Sequence, residues 1–474
     1  MATDKLSTSK KSDNIPNGFT GFNGPKPAGF ESASDAIARN SRLIGLDNED
    51  DRAPRPASRP NVPGAMQESL EYARNYERQD PSTVLSRERL DEIPGVDRRW
   101  SWTEIDLAAI RHNVMAVKQR VGPGVRVMAV VKADGYGHGA VRCAKSALSA
   151  GADYLGVATV NEAIELREAN INAPILILSE PPITSIPLLL AYRVMPSVYT
   201  PEFAIQYGEK ADAMGMRAPY HLAVNTGMNR IGVRYDEVVE FMSQVDFHRA
   251  LDLVGTFTHF ATADSSETLD FQIQAKRFIE AITAMRTAGY DPGIIHAANS
   301  AAAIRYPNVS FDMVRLGIGL YGFHPCPQTR SIIDLRPAMT VHARITDVRM
   351  VPMSEGVSYG LNYRSPGSVK ICTIPIGYAD GLCRGLSGRC DVILDGRRCH
   401  QVGNICMDQC MFEVDMRSYA MRQRLDPQIG DEVLLVGRQG DAEITIDELA
   451  EAMGTIQHEI SIGFGCSRMP RLYV

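Results

Sequence analysis

Nothing in this 474-residue sequence offers a bilayer a spanning helix. The longest apolar run, Ile186–Ala191, falls far short of the roughly 20 residues that a span requires. The lysines near the N-terminus are not followed by an apolar core, so no secretory signal is expected. A dominant charge is also lacking. With 50 Lys and Arg against 56 Asp and Glu, the formal net charge is -6, which gives no electrostatic footprint for nucleic acid. The nine cysteines are an odd number and do not form paired CxxC clusters, which argues against a disulfide framework. Seven of them lie between Cys372 and Cys466. Among these, Cys406 and Cys410 with Cys399-His400 have the wrong spacing for the common structural zinc sites. Free buried thiols, no metal, and a reduced cytoplasmic protein are the expectation. No solenoid-type repeat is visible.

What the chain does have is room for large cores. Hydrophobic residues make up 44% and charged residues 22%, an ordinary globular balance. Residues 1–97 stand apart. They are rich in Ser, Asn, Asp, Arg, Pro and Gly and poor in aliphatic side chains, so a disordered extension is expected. Within it Pro54–Gly64 reads as a loop or extended segment, and Met66–Arg78 as a few polar helical turns. Its scattered acidic residues argue against a transit peptide.

From Trp100 the texture changes. A short strand (Thr103–Asp106) leads into helical spacing through Leu107, Ile110 and Val114. Strand candidates follow at Val125–Lys132, Tyr154–Val160, Pro174–Ser179, Val194–Tyr199, His221–Thr226, Leu253–His259, Ile294–Ala298 and Met313–Leu316. Helical segments such as Asn161–Asn170, Tyr235–Gln244 and Glu267–Ala288 lie between them. About eight β/α units in a little over 200 residues match a TIM barrel. An open doubly wound sheet has the same periodicity. The barrel is preferred because polar and glycine-rich groups (Lys132, Asn225, His259, Asn299–Ser300, Arg315–Gly317) recur where strands end, the face on which barrels build their sites. Beyond Arg336, short β-branched runs (Thr340–Asp347, Val369–Ile374, Asp391–Leu394, Glu432–Leu435) alternate with turns. They predict a mainly antiparallel β domain with one helix, Ile446–Met453, opened by a Thr445/Glu448 capping box. The expected division is thus extension 1–97, barrel 98–335 and β domain 336–474.

One stretch concentrates chemistry. VMAVVKADGYGHG (Val127–Gly139) is an apolar strand ending in Lys132 and a glycine-rich turn with Tyr136 and His138. A lysine at a buried strand end is partly desolvated, which lowers its pKa and makes its amine nucleophilic. An isolated lysine there would more simply snorkel to solvent.

AVVKADGYGHGA resembles the pyridoxal-phosphate attachment motif of the alanine racemase family. WTEIDLAAIRHN, HLAVNTGMNRIG, THFATAD, HAANSAA, MVRLGIGLYG, VSYG, TIPIGYADG and VGNICMDQCM are similar to further blocks of that family, in its order, from Trp102 to Arg471. The resemblance implies a homodimer that interconverts L- and D-alanine on pyridoxal 5'-phosphate by a two-base mechanism, supplying D-alanine for cell-wall peptidoglycan. It implies that Lys132 holds the cofactor covalently. Inversion needs a second acid/base group on the opposite face of the substrate, and the match is Tyr359 of VSYG, contributed by the other subunit. His259 corresponds to the residue that supports that tyrosine, and Arg315 to the arginine facing the pyridine nitrogen. Tyr136, Ser300 and the backbone amides of Gly317 and Ile318 correspond to the phosphate-binding set, with Asn299 and His296 behind them. Arg230 and the Met407 amide would bind the substrate carboxylate, and Tyr378 and Asp408 would line the access route.

Two departures stand out. Many members carry a carbamylated lysine near the D-T-G-M motif. Ala223 and Asn225 occupy that region here, so Arg230 needs another partner, such as a bound anion or a nearby carboxylate. Ser467 stands where many members place a phosphate-contacting tyrosine. The competing functions are a serine or broad-spectrum racemase, a barrel decarboxylase, a non-enzymatic cofactor carrier and a regulatory relative. Arg315 argues against the decarboxylase, which would set an acid against the pyridine nitrogen. The full β domain argues against the carrier.

Overall fold

The computed structural model describes residues 98–415 and 425–474. The polar extension, with Pro54–Gly64 and Met66–Arg78, lies outside the described residues. The first strand described, β1 (Ser101–Ile105), does not join the barrel that follows it. It pairs antiparallel with Met339–Arg344, in the register Ser101↔Ala343, and parallel with Arg471–Tyr473. The boundary expected at residue 98 therefore needs correcting, because the chain contributes one strand to the β domain before it enters the barrel. No run of local sequence could reveal this, since the partners lie more than 200 residues away.

Asp106 ends that strand and caps α1 (Leu107–Val121), its carboxylate accepting from the amides of Ala108 (2.7 Å) and Ala109 (2.9 Å). Ile110, Val114, Val117 and Val121 recur at helical spacing and are buried. Eight parallel strands then close a barrel. They are β2 (Arg126–Val130), β3 (Tyr154–Val157), β4 (Ile175–Ile177), β5 (Met195–Val198), β6 (Ala218–Asn225), β7 (Leu251–Phe257), β8 (Ile294–His296) and β9 (Met313–Leu316). Neighbours pair in sequence order, and β9 returns to β2 with Met313 opposite Arg126. The open-sheet alternative fails on that last pairing. Val127–Val131 are buried, as a strand covered by helices on one side and barrel interior on the other must be. Each such aliphatic side chain contributes about 1.5–3 kcal/mol by leaving water.

The intervening helices include α2 (Ala140–Ser149), α3 (Val160–Glu168), α4 (Ile186–Ala191), α5 (Pro201–Ala213), α6 (Val238–Val245), α7 (Leu269–Thr287) and α8 (Ser300–Arg305). The second domain is built from β10 (Met339–Arg344), β11 (Asp347–Val351), β12 (Val369–Ile374), β13 (Asp391–Leu394), β14 (Arg397–Val402), β15 (Cys410–Asp415) and β16 (Glu432–Gln439). It is completed by α9 (Ile446–Met453), α10 (Gln457–Phe464) and β17 (Arg471–Tyr473). Its sheet runs β11-β12-β15-β14-β13-β16-β10-β1-β17, antiparallel except at the β1–β17 edge.

Helix α9 forms as expected, but only half of its capping box does. Thr445 accepts from the Glu448 amide at 3.1 Å, while the Glu448 carboxylate turns away to Arg398. Helix α10 was not expected at all. All nine cysteines are free thiols, six of them buried. Among the described residues no helix is long and apolar enough to cross a membrane, and no group of three or more His, Cys, Asp or Glu is placed to hold a metal.

Candidate functional site

Strand β2 ends at Val130, and Lys132 opens a turn with unusual backbone. Ala133 (φ 52°), Asp134 (φ 49°), Gly135 (φ 62°) and Tyr136 (φ 52°) are consecutive left-handed residues. Only glycine adopts this region cheaply, and each of the others costs about 1–2 kcal/mol, so the turn must be held from several sides. The Glu162 carboxylate, at the start of α3, accepts from the Ala133 amide at 2.7 Å while completing a capping box with Thr159. Asp134 accepts from the Ala140 amide at 2.8 Å and pairs with Arg471 at 2.6 Å. The C-terminal domain thus braces the lysine turn. Burial lowers the Lys132 pKa, and Arg230 lowers it further, against a smaller opposing effect of Glu162. The strand-end lysine is therefore desolvated rather than snorkelled.

Across the barrel mouth, at the end of β9, Arg315 is 2% exposed and, among the described residues, has no carboxylate paired with it. One guanidinium nitrogen donates to His296 Nδ1 (3.0 Å) and to the His296 carbonyl (3.2 Å). The other donates to the carbonyls of Thr258 (2.7 Å) and Ala297 (2.9 Å) and to His259 Nδ1 (3.1 Å). Phe257 lies under the guanidinium and stacks on the His296 ring. Burial, and then Arg230, push the Arg315 pKa down to about 9, which leaves it cationic at neutral pH.

This cage fixes tautomers. A guanidinium only donates, so Nδ1 of both His296 and His259 must carry a lone pair and the protons sit on Nε2. His296 Nε2–H then donates to His221 Nδ1 at 2.9 Å, which places the His221 proton on a buried Nε2 with no partner. A relay from the Arg315 cation through two neutral imidazoles, His296 and His221, runs from the cavity into the barrel interior. His259 keeps its Nε2–H as a remaining donor.

The cavity itself has a volume of ≈ 670 Å³ and is lined by Lys132, Tyr136, Arg230, His259, Ser300, Arg315, Gly317 and Ile318, among others. Eight of the residues singled out from sequence are thereby brought together. Ser300 opens α8 behind the Asn299 cap, and its hydroxyl accepts from the amides of Gly317 (3.0 Å) and Gly319 (3.2 Å). A β-carbon at Gly317 would lie 3.0 Å from the Tyr136 hydroxyl, so glycine keeps this corner open. Ala223 and Asn225 also line the cavity, and the Asn225 side-chain oxygen accepts from the amides of Gly227 (3.1 Å) and Asn229 (3.0 Å). Arg230 has no ion-pair partner among the described residues, and three basic side chains, Lys132, Arg230 and Arg315, share one space.

Two of the predicted site residues lie elsewhere. Tyr359 is 74% exposed and Met407 51%, and neither lines the cavity of its own chain. They sit on neighbouring loops of the β domain, with exposed Tyr378 close to Met407 through the Ala379 amide, which bonds to the Met407 carbonyl at 3.0 Å. Asp408 pairs with Arg468. Ser467, the second departure, lies elsewhere too. It is exposed in the turn after α10 and outside the cavity, and the side chains from this part of the chain that reach the cavity are Ile456 and His458. His458 lies 5.6 Å from the Tyr136 ring, and its Nδ1 is buried without a hydrogen-bond partner among the described residues. No motif pointed to it, because α10 itself was not foreseen.

Comparison with known proteins completes the picture. Residues 105–325 match the family model for the alanine racemase N-terminal domain, and residues 338–473 that for the C-terminal domain. The chain belongs to the alanine racemase family. It is 43% identical over 380 residues to the alanine racemase of Synechocystis sp., covering 80% of this chain and all of that one. It is 40% identical over 394 residues to the alanine racemase of a Nostoc species, covering 82% and 100%. Among solved structures, alanine racemase from Bacillus anthracis with bound L-Ala-P matches with a TM-score of 0.73 at 37% identity, covering 79% of this chain and 95% of that one. The enzyme from E. faecalis matches with 0.74 at 37%, covering 80% and 99%. The chain is thus an amino-acid isomerase by family.

Pyridoxal phosphate, which the resemblance implies, fits this donor set. A desolvated lysine amine, a hydroxyl with glycine amides beside it, and a caged cation with no acid among its partners suit an aldehyde, a phosphate dianion and an unprotonated ring nitrogen respectively. The Tyr136 phenol is pushed up to about 12 by burial, so it stays a donor.

The buried histidines also set a pH dependence. Burial lowers His138 to about 4 and His221 to about 3, and lowers His296 well below the ordinary value. The unfolded chain takes up these protons near pH 6.5 and the folded chain does not. Their stability contribution is therefore complete above pH 6.5 and declines as pH falls toward 4, by up to ~1.4 kcal/mol per pH unit for each histidine. Thermal melts should be level between pH 7 and 8 and fall steeply between pH 6 and 4.5. A flat profile over the acid range would show that these rings already titrate in the fold.

Proposed function

We propose that the protein is a pyridoxal-phosphate-dependent alanine racemase that works as a homodimer with shared active sites. The observation that carries this reading is the cavity in which Lys132, Arg315 and the Ser300–Gly317 corner converge, with Arg230 alongside. Bound through Lys132, pyridoxal phosphate would supply an electron sink for the Cα–H electron pair. Tyr136, Ser300 and the amides of Gly317 and Ile318 would hold its phosphate. Arg315, unable to give up its place in a five-bonded cage, would keep the ring nitrogen unprotonated, which moderates the sink and disfavours side reactions.

Of Lys132 Nζ on one face and Tyr359 Oη on the other, one takes the Cα proton and the other delivers a proton to the opposite face, the roles exchanging with direction. The exposure of Tyr359, Leu361, Met407 and Tyr378 supports their completing a partner's cavity rather than their own, since large apolar and aromatic side chains so grouped mark an interaction surface. His259, with its Nδ1 committed to Arg315, has Nε2–H to stabilise the tyrosine anion. Arg230 and the Met407 amide would bind the substrate carboxylate. Tyr378 and Asp408 would line the access route. In this reading the protein is cytoplasmic, and its product is D-alanine for cell-wall peptidoglycan.

The test is to incubate purified holoenzyme with L-alanine, L-serine and larger amino acids and to follow enantiomer ratios. Alanine should reach an equal mixture, with serine slower and larger side chains inert. A serine rate above that of alanine would move the assignment to a serine or broad-spectrum racemase, because one hydroxyl changes a pocket's selectivity only modestly.

A further inference from the structure

The tyrosine assigned as the second acid/base group stands on a thinly covered turn. None of the side chains in its turn, Tyr359–Leu361, is buried. The turn is also strained, with Ser358 (φ 67°), Gly360 (φ 75°) and Leu361 (φ 49°) all left-handed. Strain of this kind persists only where neighbouring contacts over-determine it; Leu361 lies against Gly356 and Ser358 against Gly403, and polar contacts act beside them.

The two shortest come from one residue on a facing loop, whose Cys406 thiol also meets the Ser358 hydroxyl at 3.5 Å. The Asn404 side-chain amide donates to the Tyr359 carbonyl at 2.7 Å, and the Ser358 hydroxyl donates to the Asn404 carbonyl at 2.6 Å. The pair of bonds brackets the Ser358–Tyr359 peptide. The loop that carries Asn404 is itself rigid. Ile405 is buried and its amide bonds to the Ser387 hydroxyl at 3.0 Å, while the Cys406 carbonyl accepts from the Tyr378 amide at 3.0 Å. Close approach is also built in, since a β-carbon at Gly403 (φ 70°) would lie 2.7 Å from the Ser358 Cβ. The same loop carries Met407.

We propose that Asn404 is a positioning residue, fixing the Tyr359 phenol relative to the substrate and holding it in register with the carboxylate-binding Met407 amide. This rests on the assignment of Tyr359 as an acid/base group. Asn404 touches no reacting atom and acts through the Tyr359 backbone. Misplacing a reacting group by about 1 Å can cost on the order of 10²-fold in rate, so removal of the clamp should weaken one of the two proton transfers and leave the Lys132 side intact.

The experiment compares Asn404→Ala, Asn404→Asp and Tyr359→Phe with the wild-type holoenzyme. It uses Cα-deuterated and ordinary alanine in both directions, with cofactor occupancy read from visible absorbance. For Asn404→Ala, kcat should fall roughly 10- to 100-fold with KM little changed and occupancy intact. The primary isotope effect should rise in the direction in which Tyr359 removes the proton and fall toward one in the other. Asn404→Asp, isosteric but without the donor, should behave alike. Wild-type rates in both Asn404 variants, or a rate loss with unchanged isotope effects or reduced occupancy, would overturn the positioning role. Tyr359→Phe separates the two levels. If it racemises alanine normally, the acid/base assignment itself fails. If it is inactive while both Asn404 variants are normal, only the present proposal fails.

Discussion

An equimolar mixture of Lys132→Ala and Tyr359→Phe chains, each inactive alone, is expected to regain about a quarter of the wild-type rate. Random exchange makes half the dimers mixed, and each mixed dimer has one site with both defects and one intact site. The geometry behind this is the separation of the two groups within one chain. Lys132 lines the barrel cavity, while Tyr359 is 74% exposed on the β domain and absent from that lining. A chain whose cavity were complete by itself would have no use for an exposed tyrosine on a strained, clamped turn. The check is to co-refold or co-express the two variants and assay alanine inversion. Persistent inactivity in a mixture shown to contain mixed dimers would put both bases on the same chain or remove Tyr359 from the chemistry.

Arg315→Gln should be nearly as damaging, for reasons of hydrogen-bond supply. The wild-type guanidinium serves five acceptors, namely three carbonyls and two imidazole nitrogens. A glutamine amide has two N–H groups where the two guanidinium nitrogens engaged here have four, so half the donors are lost, and each acceptor left without one costs about 1–3 kcal/mol when buried. Water entering from the cavity will satisfy part of the deficit, so the expected loss is roughly 3 kcal/mol in denaturant unfolding. Activity should fall on the order of 10²-fold, because loss of the cation frees the His296 and His259 tautomers and removes a fixed charge from the site. Arg315→Lys keeps the charge and offers up to three donors without the planar fork, and should fall between the two. A glutamine variant as stable and fast as wild type would show that the cage is incidental.

Much of this was legible in the sequence, because the features involved are local. The barrel's strands end in chemistry-bearing residues and alternate with amphipathic helices, so Lys132, His259, Ser300 and Arg315 could be assigned to one face before any coordinates. Non-local features were hidden. The pairing of Ser101–Ile105 with Met339–Arg344 depends on chain separated by the whole barrel. The tautomer relay depends on His221 and His296 meeting across the barrel interior, and nothing about either residue alone predicts an orphaned Nε2–H. Helix α10 was missed because no side chain caps its N-terminus at Ile456, and with it went the placement of His458. Glu448 illustrates the limit of a motif, since the sequence spacing of a capping box was present but Arg398 competed for the carboxylate.

The claim on which the rest depends is that the desolvated amine of Lys132 carries the cofactor. Borohydride reduction of the purified protein, which should be yellow, followed by digestion and mass analysis, tests it directly. The prediction is a single phosphopyridoxyl adduct on the peptide containing Lys132, with loss of activity in proportion to its yield. A colourless protein, or an adduct on any other lysine, would contradict it.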